Sequence, residues 1–207
     1  MSKLLLSTIA LGKQLQVENS YVTIGLTNPK SPSNVGSVMR AAGCYSVDQV
    51  MFTGQRYANA AKYNGIKHNT DTKKARDKIP LTPTECFENI EVLRSSLPDN
   101  TKIVCVDLIE GATPLPHFQH PEQVLYIFGP EDGTISQTVI DNADAVVYVP
   151  TVGCMNLAAS VNVLLYDRLA KSVINNTLNE SNNELIKKSR DTNNKVKVKI
   201  RVENEEG

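Results

Sequence analysis

Short runs of apolar and β-branched residues alternate along the chain with segments of helical periodicity. The runs predict five strands, at residues 21–27, 49–53, 102–107, 124–128 and 145–149. Apolar residues at helical spacing follow the first strand and predict a helix that ends near Gly43. Further helices are predicted over residues 84–96, 135–142 and 156–171. Strands that alternate with helices in this way indicate an α/β domain with a parallel sheet.

Composition divides the chain into three parts. Residues 1–20 hold a short apolar stretch without a cleavage site, which predicts an N-terminal helical extension rather than a secretory signal. The alternating pattern fills residues 21–171. In residues 172–207, Asn, Ser, Glu and Lys dominate, which predicts a polar, mobile tail. No stretch reaches the roughly 20 apolar residues that a membrane span requires.

The charges of the chain balance, with 22 basic and 22 acidic residues. Any contact with RNA must therefore use a local patch rather than an overall positive field. Residues 55–78 supply a candidate patch that is rich in Lys and Arg and contains Tyr57 and Tyr63, and Lys187, Lys188 and Arg190 would extend it. Ordinary solvated charge is the alternative. The four cysteines lack zinc-ligand spacing, which indicates reduced thiols in the cytoplasm and no metal site.

The first candidate site lies where the first strand passes into its helix, at residues 34–40, with the sequence Asn-Val-Gly-Ser-Val-Met-Arg. Ser33 or Asn34 would cap the helix on the structural interpretation. On the functional interpretation, Asn34 and Arg40 bind phosphate or ribose oxygens, since the guanidinium forms charge-assisted hydrogen bonds with such groups.

Two further polar segments follow strands. Residues 128–133, Phe-Gly-Pro-Glu-Asp-Gly, form either a tight turn or a ligand loop, but match neither the dinucleotide fingerprint nor a phosphate-binding loop. Residues 149–157 contain a Gly loop and then Asn156, which would cap the last helix or contribute to a site. Cys154 has no neighbouring His or Asp to activate it as a nucleophile, so it is interpreted as structural or substrate-lining.

Taken together and in this order, the three segments resemble the motifs of the SpoU–TrmH family of SPOUT-class RNA 2′-O-methyltransferases. The resemblance covers roughly residues 22–171. It implies an α/β fold, in which a mostly parallel sheet is flanked by helices and the C-terminal part forms a deep trefoil knot. It assigns catalytic roles to Arg40, Asn34, Glu131 and Asn156. It assigns S-adenosylmethionine contacts to Asp107, Leu108, Gly129, Val149, Cys154 and Met155. The family usually has Ser-Leu-Asn where this chain has Cys-Met-Asn, so a thiol replaces a better hydrogen-bonding hydroxyl.

The resemblance implies methyl transfer from S-adenosylmethionine to a ribose 2′-hydroxyl of RNA. It favours tRNA, because the chain lacks the long N-terminal RNA-binding domain of some rRNA-modifying relatives. It also implies a homodimer in which Arg40 acts near the partner's cofactor. None of the motifs contains a His, so Arg40 is the candidate for activating the hydroxyl, with an RNA phosphate helping to accept the proton. The alternatives are an rRNA methyltransferase, a family member that binds RNA without methylating it and, less favoured, an unrelated nucleotide-using α/β enzyme.

Overall fold

The computed structural model describes residues 20–63, 75–85, 87–174, 186, 187, 189, 190 and 193–198. These residues form a seven-stranded sheet with the order β3-β2-β1-β6-β4-β7-β5, and all of its pairings are parallel. The strands are β1 (Tyr21–Leu26), β2 (Gln49–Phe52), β3 (Leu81–Pro83), β4 (Lys102–Val106), β5 (Thr113–Pro114), β6 (Gln123–Phe128) and β7 (Ala145–Tyr148). The predicted α/β class with a parallel sheet is confirmed, and the trefoil knot stays a prediction.

Helices cover both faces of this sheet. They are α1 (Pro32–Cys44), α2 (Arg56–Tyr63), α3 (Ile90–Ser95), α4 (Gln137–Asp141) and α5 (Leu157–Ile174). Alternate residues of β6 point to opposite faces, so Tyr126 and Phe128 join the core under α1 and α5, whereas Leu125 and Ile127 join the core under α3 and α4. Burial on both faces explains why the central strands are continuous apolar runs.

Several elements differ from the prediction. The helix predicted over residues 84–96 begins only at Ile90, because Asn89 caps it with a side-chain oxygen 3.3 Å from the Val92 nitrogen. Ahead of it, Phe87 is buried in the core. Strands β3 and β5 were not predicted, since runs of three and two residues are too short to show a period of two.

Helix α2 was also missed, within a segment interpreted as polar. The predicted extension at residues 1–20 lies outside the described residues except for Ser20, and so does most of the predicted tail. No helix in the described part of the chain combines the length and apolarity that a membrane crossing needs.

The register of the sheet brings the ends of its central strands level. Phe128 pairs with Leu26 of β1 and with Val106 of β4, and Val106 pairs in turn with Val147 of β7. Because all the strands run in the same direction, the loops after β1, β4, β6 and β7 leave from one edge. The three polar segments predicted to carry chemistry follow β1, β6 and β7, so the fold gathers them there.

Candidate active site

A chain of hydrogen bonds joins the three polar segments at this edge. The Glu131 carboxylate accepts hydrogen bonds from the Lys30 and Ser31 backbone nitrogens and from Asn34 Nδ2, the last at 3.0 Å. Asn34 Oδ1 accepts in turn from Asn156 Nδ2, also at 3.0 Å. Residues about 100 positions apart along the chain are thus brought into direct contact.

The two asparagine amides have only one orientation that satisfies this chain. A carboxylate can only accept, so Asn34 must turn its Nδ2 toward Glu131, which leaves its Oδ1 to accept from Asn156. The Asn156 oxygen then faces the Ala158 backbone nitrogen at 2.9 Å, a group that can only donate. Because a donor or acceptor of fixed type stands at each end, the network positions Asn34 and Asn156 without rotational ambiguity.

Local sequence places the two asparagines at helix starts. Ser31 caps α1 by accepting from the Asn34 backbone nitrogen, and Pro32 occupies the first turn, where its missing N–H costs nothing. The expectation that Ser33 or Asn34 would be the cap was therefore wrong, because the helix begins earlier than its apolar spacing indicated. Asn156 does both things expected of it, since its oxygen caps α5 while its nitrogen holds Asn34.

A pocket opens beside this network, between the loops that follow β4, β6 and β7. All six residues predicted to bind cofactor line it, and Glu131 does so as well. The remaining lining residues are Val106, Phe128, Pro130, Gly133, Thr151, Leu157 and Ser160. The geometry thus brings the predicted cofactor residues together, whereas their individual roles stay predictions.

Asp107 shapes one wall of this pocket. Its Oδ2 accepts from Thr134 Oγ1 at 2.9 Å and from the Ile135 backbone nitrogen at 3.1 Å, which fastens the loop after β6 to the end of β4. Gly129 lies against the same oxygen, and a Cβ at Gly129 would approach it to 2.6 Å. A side chain at position 129 would therefore have to push this wall out of place.

The walls of the pocket carry negative rather than positive side chains. Among the described residues that line it there is no lysine or arginine, while Asp107 and Glu131 are both acidic. Such a wall disfavours the phosphates of an ordinary nucleotide and suits a ligand with positive charge. Cys154 is exposed here and lines the pocket with a thiol, at the position where the family that the three segments resemble usually has a serine hydroxyl.

Arg40 is the predicted catalytic residue that the single chain does not bring into the hydrogen-bonded network beside the pocket. It lies on the exposed side of α1 and has no hydrogen-bond or ion-pair partner among the described residues. Six positions separate it from Asn34, which places the two side chains about 120° apart around the helix and about 9 Å apart along it. Arg40 therefore faces outward from the site of its own chain.

The predicted RNA patch is only partly exposed. Tyr57 is 4% exposed and packs edge-on against Phe52 with ring centroids 5.0 Å apart, so the placement of Tyr57 on the candidate RNA-contact surface was wrong. Its position on α2 turns it into the core, which the surrounding polar residues concealed. Lys62, Lys78 and Lys187 are exposed. Lys67, Lys73, Lys74 and Lys188 lie outside the described residues.

An ion cluster at the rim of the pocket was not predicted from the sequence. Arg56 donates to both carboxylate oxygens of Asp132, each at 2.7 Å, and Lys30 Nζ lies 3.9 Å from the same carboxylate. The Arg56 hydrogen bonds hold the pKa of Asp132 below its usual value. Ser31 was likewise missed as a functional residue, although a Ser-Pro pair before a helical pattern is a start signal that would have identified it as the cap.

Comparison with solved structures shows the same fold in RNA-modifying enzymes. The A. aeolicus TrmH/SpoU tRNA modifying enzyme matches with a TM-score of 0.66 and 13% identity over 87% of this chain and 91% of its own. A structure solved for the 2-OH methylation of C/U34 on tRNA matches with a TM-score of 0.60 and 18% identity over 74% and 92%. AviRb from Streptomyces viridochromogenes, in complex with AdoMet, matches with a TM-score of 0.61 and 17% identity over 78% and 61%, so this chain spans less than two thirds of AviRb.

These identities are low, and the likenesses establish the fold. No sequence among the curated proteins matches the chain. The sequence profile of one protein family, the SpoU rRNA Methylase family, matches residues 21–166. This range includes all three polar segments and the residues that line the pocket. The chain therefore belongs to the SpoU rRNA Methylase family of RNA methyltransferases.

Proposed function

We propose that this chain is a cytoplasmic enzyme that transfers a methyl group from S-adenosylmethionine to a ribose 2′-hydroxyl of RNA, with tRNA as the favoured substrate. The observation that carries the proposal is the hydrogen-bonded chain from Glu131 through Asn34 to Asn156, beside a pocket made by the predicted cofactor residues. Family membership supports methyl transfer to RNA, and the solved structure for 2-OH methylation on tRNA supports the ribose hydroxyl and tRNA.

The chemistry of the pocket suits S-adenosylmethionine. When bound, this cofactor supplies an electrophilic methyl group on a positively charged sulfonium. The acidic side chains of Asp107 and Glu131 and the absence of lysine and arginine among the described lining residues fit that positive charge. Leu108, Val149 and Met155 add apolar surface for the rest of the molecule, and Gly129 leaves space beside Asp107. AviRb, which shares the fold, was solved in complex with AdoMet.

The side chains have separate tasks in this proposal. Glu131, Asn34 and Asn156 position the loops and the ribose, because their mutual hydrogen bonds leave them little freedom to move. Arg40 contacts the reacting 2′-oxygen and stabilises the negative charge that develops there, with an RNA phosphate helping to accept the proton. A guanidinium suits this task because it stays charged at all relevant pH values and offers several donors.

A homodimer completes the site. Arg40 faces outward from its own pocket, so it would serve the pocket of a second copy of the chain. Two apolar side chains are also exposed on α5, Tyr166 at 62% and Val163 at 37%, three positions apart on one side of the helix that packs against α1. A contact between copies through these helices would cover both side chains and bring Arg40 to the partner.

The main test is methyl transfer to defined RNA pools. Purified protein with labelled S-adenosylmethionine is expected to label total tRNA more strongly than rRNA, and alkaline digests should contain dinucleotides that resist cleavage because the 2′-oxygen is blocked. Label on a base, or none on either RNA, would overturn the proposal. Stronger labelling of rRNA would favour the rRNA alternative, and RNA binding without cofactor binding in calorimetry would favour the non-catalytic one.

The role of Arg40 has its own control. Arg40→Ala is expected to reduce methyl transfer by at least about a hundredfold while leaving cofactor affinity unchanged, because its task is at the ribose. Arg94→Ala removes an exposed arginine on α3, on the other face of the sheet, and should retain activity. Full activity of a folded Arg40→Ala protein would refute the role.

A further inference from the structure

The ion cluster of Lys30, Arg56 and Asp132 lies at the mouth of the pocket. Asp132 stands between Glu131 and Gly133, which both line the pocket, and half of its side chain is exposed. Arg56 begins α2, after β2, and Lys30 lies in the loop after β1. Three segments at the same edge of the sheet, two loops and the start of α2, thus contribute two cations and one anion to a single rim.

The geometry of the arginine in this cluster is that of a phosphate site. Arg56 presents two parallel N–H groups, Nη1 and Nη2, and each is 2.7 Å from a different oxygen of Asp132. A phosphodiester offers the same pair of acceptor oxygens to a guanidinium, and arginine binds it with the same two-pronged contact. The two guanidinium donors are therefore arranged so that they suit either anion, a carboxylate or a phosphate.

The energetics permit exchange between the two anions. The pair is solvent-exposed, with a third of the Arg56 side chain and half of the Asp132 side chain accessible, and exposed ion pairs contribute little to stability. Charge balance adds a reason for the arrangement. The chain has no net charge, so RNA affinity depends on local cations, and Asp132 pairs with two of these cations in the chain without RNA.

We propose that Arg56 and Lys30 bind a backbone phosphate of the substrate RNA, and that Asp132 is a built-in competitor that occupies the two cations when RNA is absent. This inference rests on the proposed function, because it supplies the RNA contact nearest to the pocket. It also gives Asp132 a role in specificity, because an anionic ligand can bind here only if it displaces the Asp132 carboxylate from Arg56 and Lys30.

Opposite effects of two charge-removing variants test the proposal. Arg56→Gln loses a phosphate contact, so the dissociation constant for unmodified total tRNA should rise by about tenfold, and the slope of log affinity against log salt should become shallower by roughly one. Asp132→Asn releases both cations, so the dissociation constant should fall by about threefold or more, with a steeper salt slope. A purely structural clamp predicts weakening by both variants.

Two controls separate the cluster from general charge effects. Glu110→Gln removes an exposed carboxylate from the loop after β4 without releasing a cation, and Arg94→Gln removes an arginine that pairs with Asp144 on the other face of the sheet. Both should change tRNA affinity by less than about twofold. Equal thermal unfolding midpoints would show that all four variants fold.

The binding assay contains no S-adenosylmethionine, so it reports on the cluster even if methyl transfer fails. Weaker binding by both Arg56→Gln and Asp132→Asn, unchanged binding by either, or no measurable binding by the wild-type chain would overturn the inference. A loss of methyl transfer to every RNA, with the opposite shifts in affinity retained, would overturn the proposed function and leave the phosphate site standing.

Discussion

Asn34 uses both ends of its side-chain amide, one toward the Glu131 carboxylate and one toward Asn156. Asn34→Asp replaces the donor with a second carboxylate 3.0 Å from the first, so the two charges repel each other. We expect the free energy of unfolding to fall by roughly 1–3 kcal/mol. Methyl transfer should fall at least about a hundredfold, since the loops that are proposed to hold the ribose and cofactor lose their relative positions. Chemical unfolding and initial rates measure the two effects.

The control for this prediction is the same chemical change at a remote asparagine. Asn142, which ends α4, uses its amide only on the Thr138 carbonyl, 2.7 Å away, at the opposite edge of the sheet. Asn142→Asp is expected to keep its methyl transfer rate whatever it does to stability. Comparable loss of activity in both variants would show that the effect at Asn34 comes from general destabilisation and not from the network.

At the level of single residues, sequence could identify the candidates but not their contacts. Asn34, Glu131 and Asn156 stand out because each follows a predicted strand at an unusual polar segment. The hydrogen bond between Asn34 and Asn156 spans 122 positions, and periodicity carries no information about such pairs. Tyr57 illustrates the converse, because polar neighbours suggested exposure while the helix turned its ring into the core.

The segment at residues 115–122 is fastened to α5 by a polar cluster around His120. His120 Nε2 lies 2.8 Å from Asp167, and its Nδ1 lies 2.6 Å from the Tyr126 hydroxyl, which also accepts from Arg168. The Tyr126 hydroxyl can donate to Nδ1 while it accepts from Arg168, and His120 then donates from Nε2 to Asp167. This neutral imidazole is the form that burial favours, because burial lowers the pKa of His120. Lys171 completes the attachment by donating to two carbonyls of the segment and to Asp167.

This attachment makes the fold sensitive to acid. Burial lowers the pKa of His120 from 6.5 to about 4. The unfolded chain therefore takes up a proton as the pH falls below 6.5, whereas the folded chain does so only near pH 4, and stability is lost between these values. From pH 7.5 to pH 5, urea unfolding should show a loss of about 2 kcal/mol that is attributable to this residue.

Two variants isolate the contribution of His120 from those of other titrating groups. His120→Gln should be less stable at pH 7.5 but should lose less stability on acidification than the wild type. His117 lies three positions earlier and is exposed, so His117→Gln is the matched control for the loss of an imidazole from this segment. An unchanged pH dependence in His120→Gln would show that another group is responsible.

At the level of elements, the prediction succeeded where a segment is long and its burial is regular. The five predicted strands and the last helix were found because each continues an apolar pattern long enough to show its period. Strands β3 and β5 lie at the two edges of the sheet, where a few residues suffice for pairing and leave no pattern. The attachment around His120 was missed for a different reason, since it joins α5 to a stretch that lies about 40 to 50 positions earlier in the chain.

The whole molecule needs a partner if Arg40 acts across a dimer interface, and mixed dimers can reveal this. The Arg40→Ala variant keeps an intact pocket but lacks the arginine. The Gly129→Val variant keeps Arg40, but its valine disrupts the pocket, because even a Cβ at position 129 would lie 2.6 Å from an Asp107 oxygen. Each variant alone should be inactive. A heterodimer of the two would contain one site with an intact pocket and the partner's Arg40, since a two-fold interface exchanges the same surfaces.

When equal amounts of the two variants exchange subunits at random, half of the dimers are mixed. Each mixed dimer then has one working site out of two. Co-refolding or co-expression of the variants should therefore restore about a quarter of the wild-type rate per chain. If Arg40 served its own pocket, every mixed dimer would lack a complete site and the mixture would stay inactive. Light scattering on the same samples should give twice the mass of the chain, because an intact pocket in one copy and Arg40 in another can cooperate only within one particle.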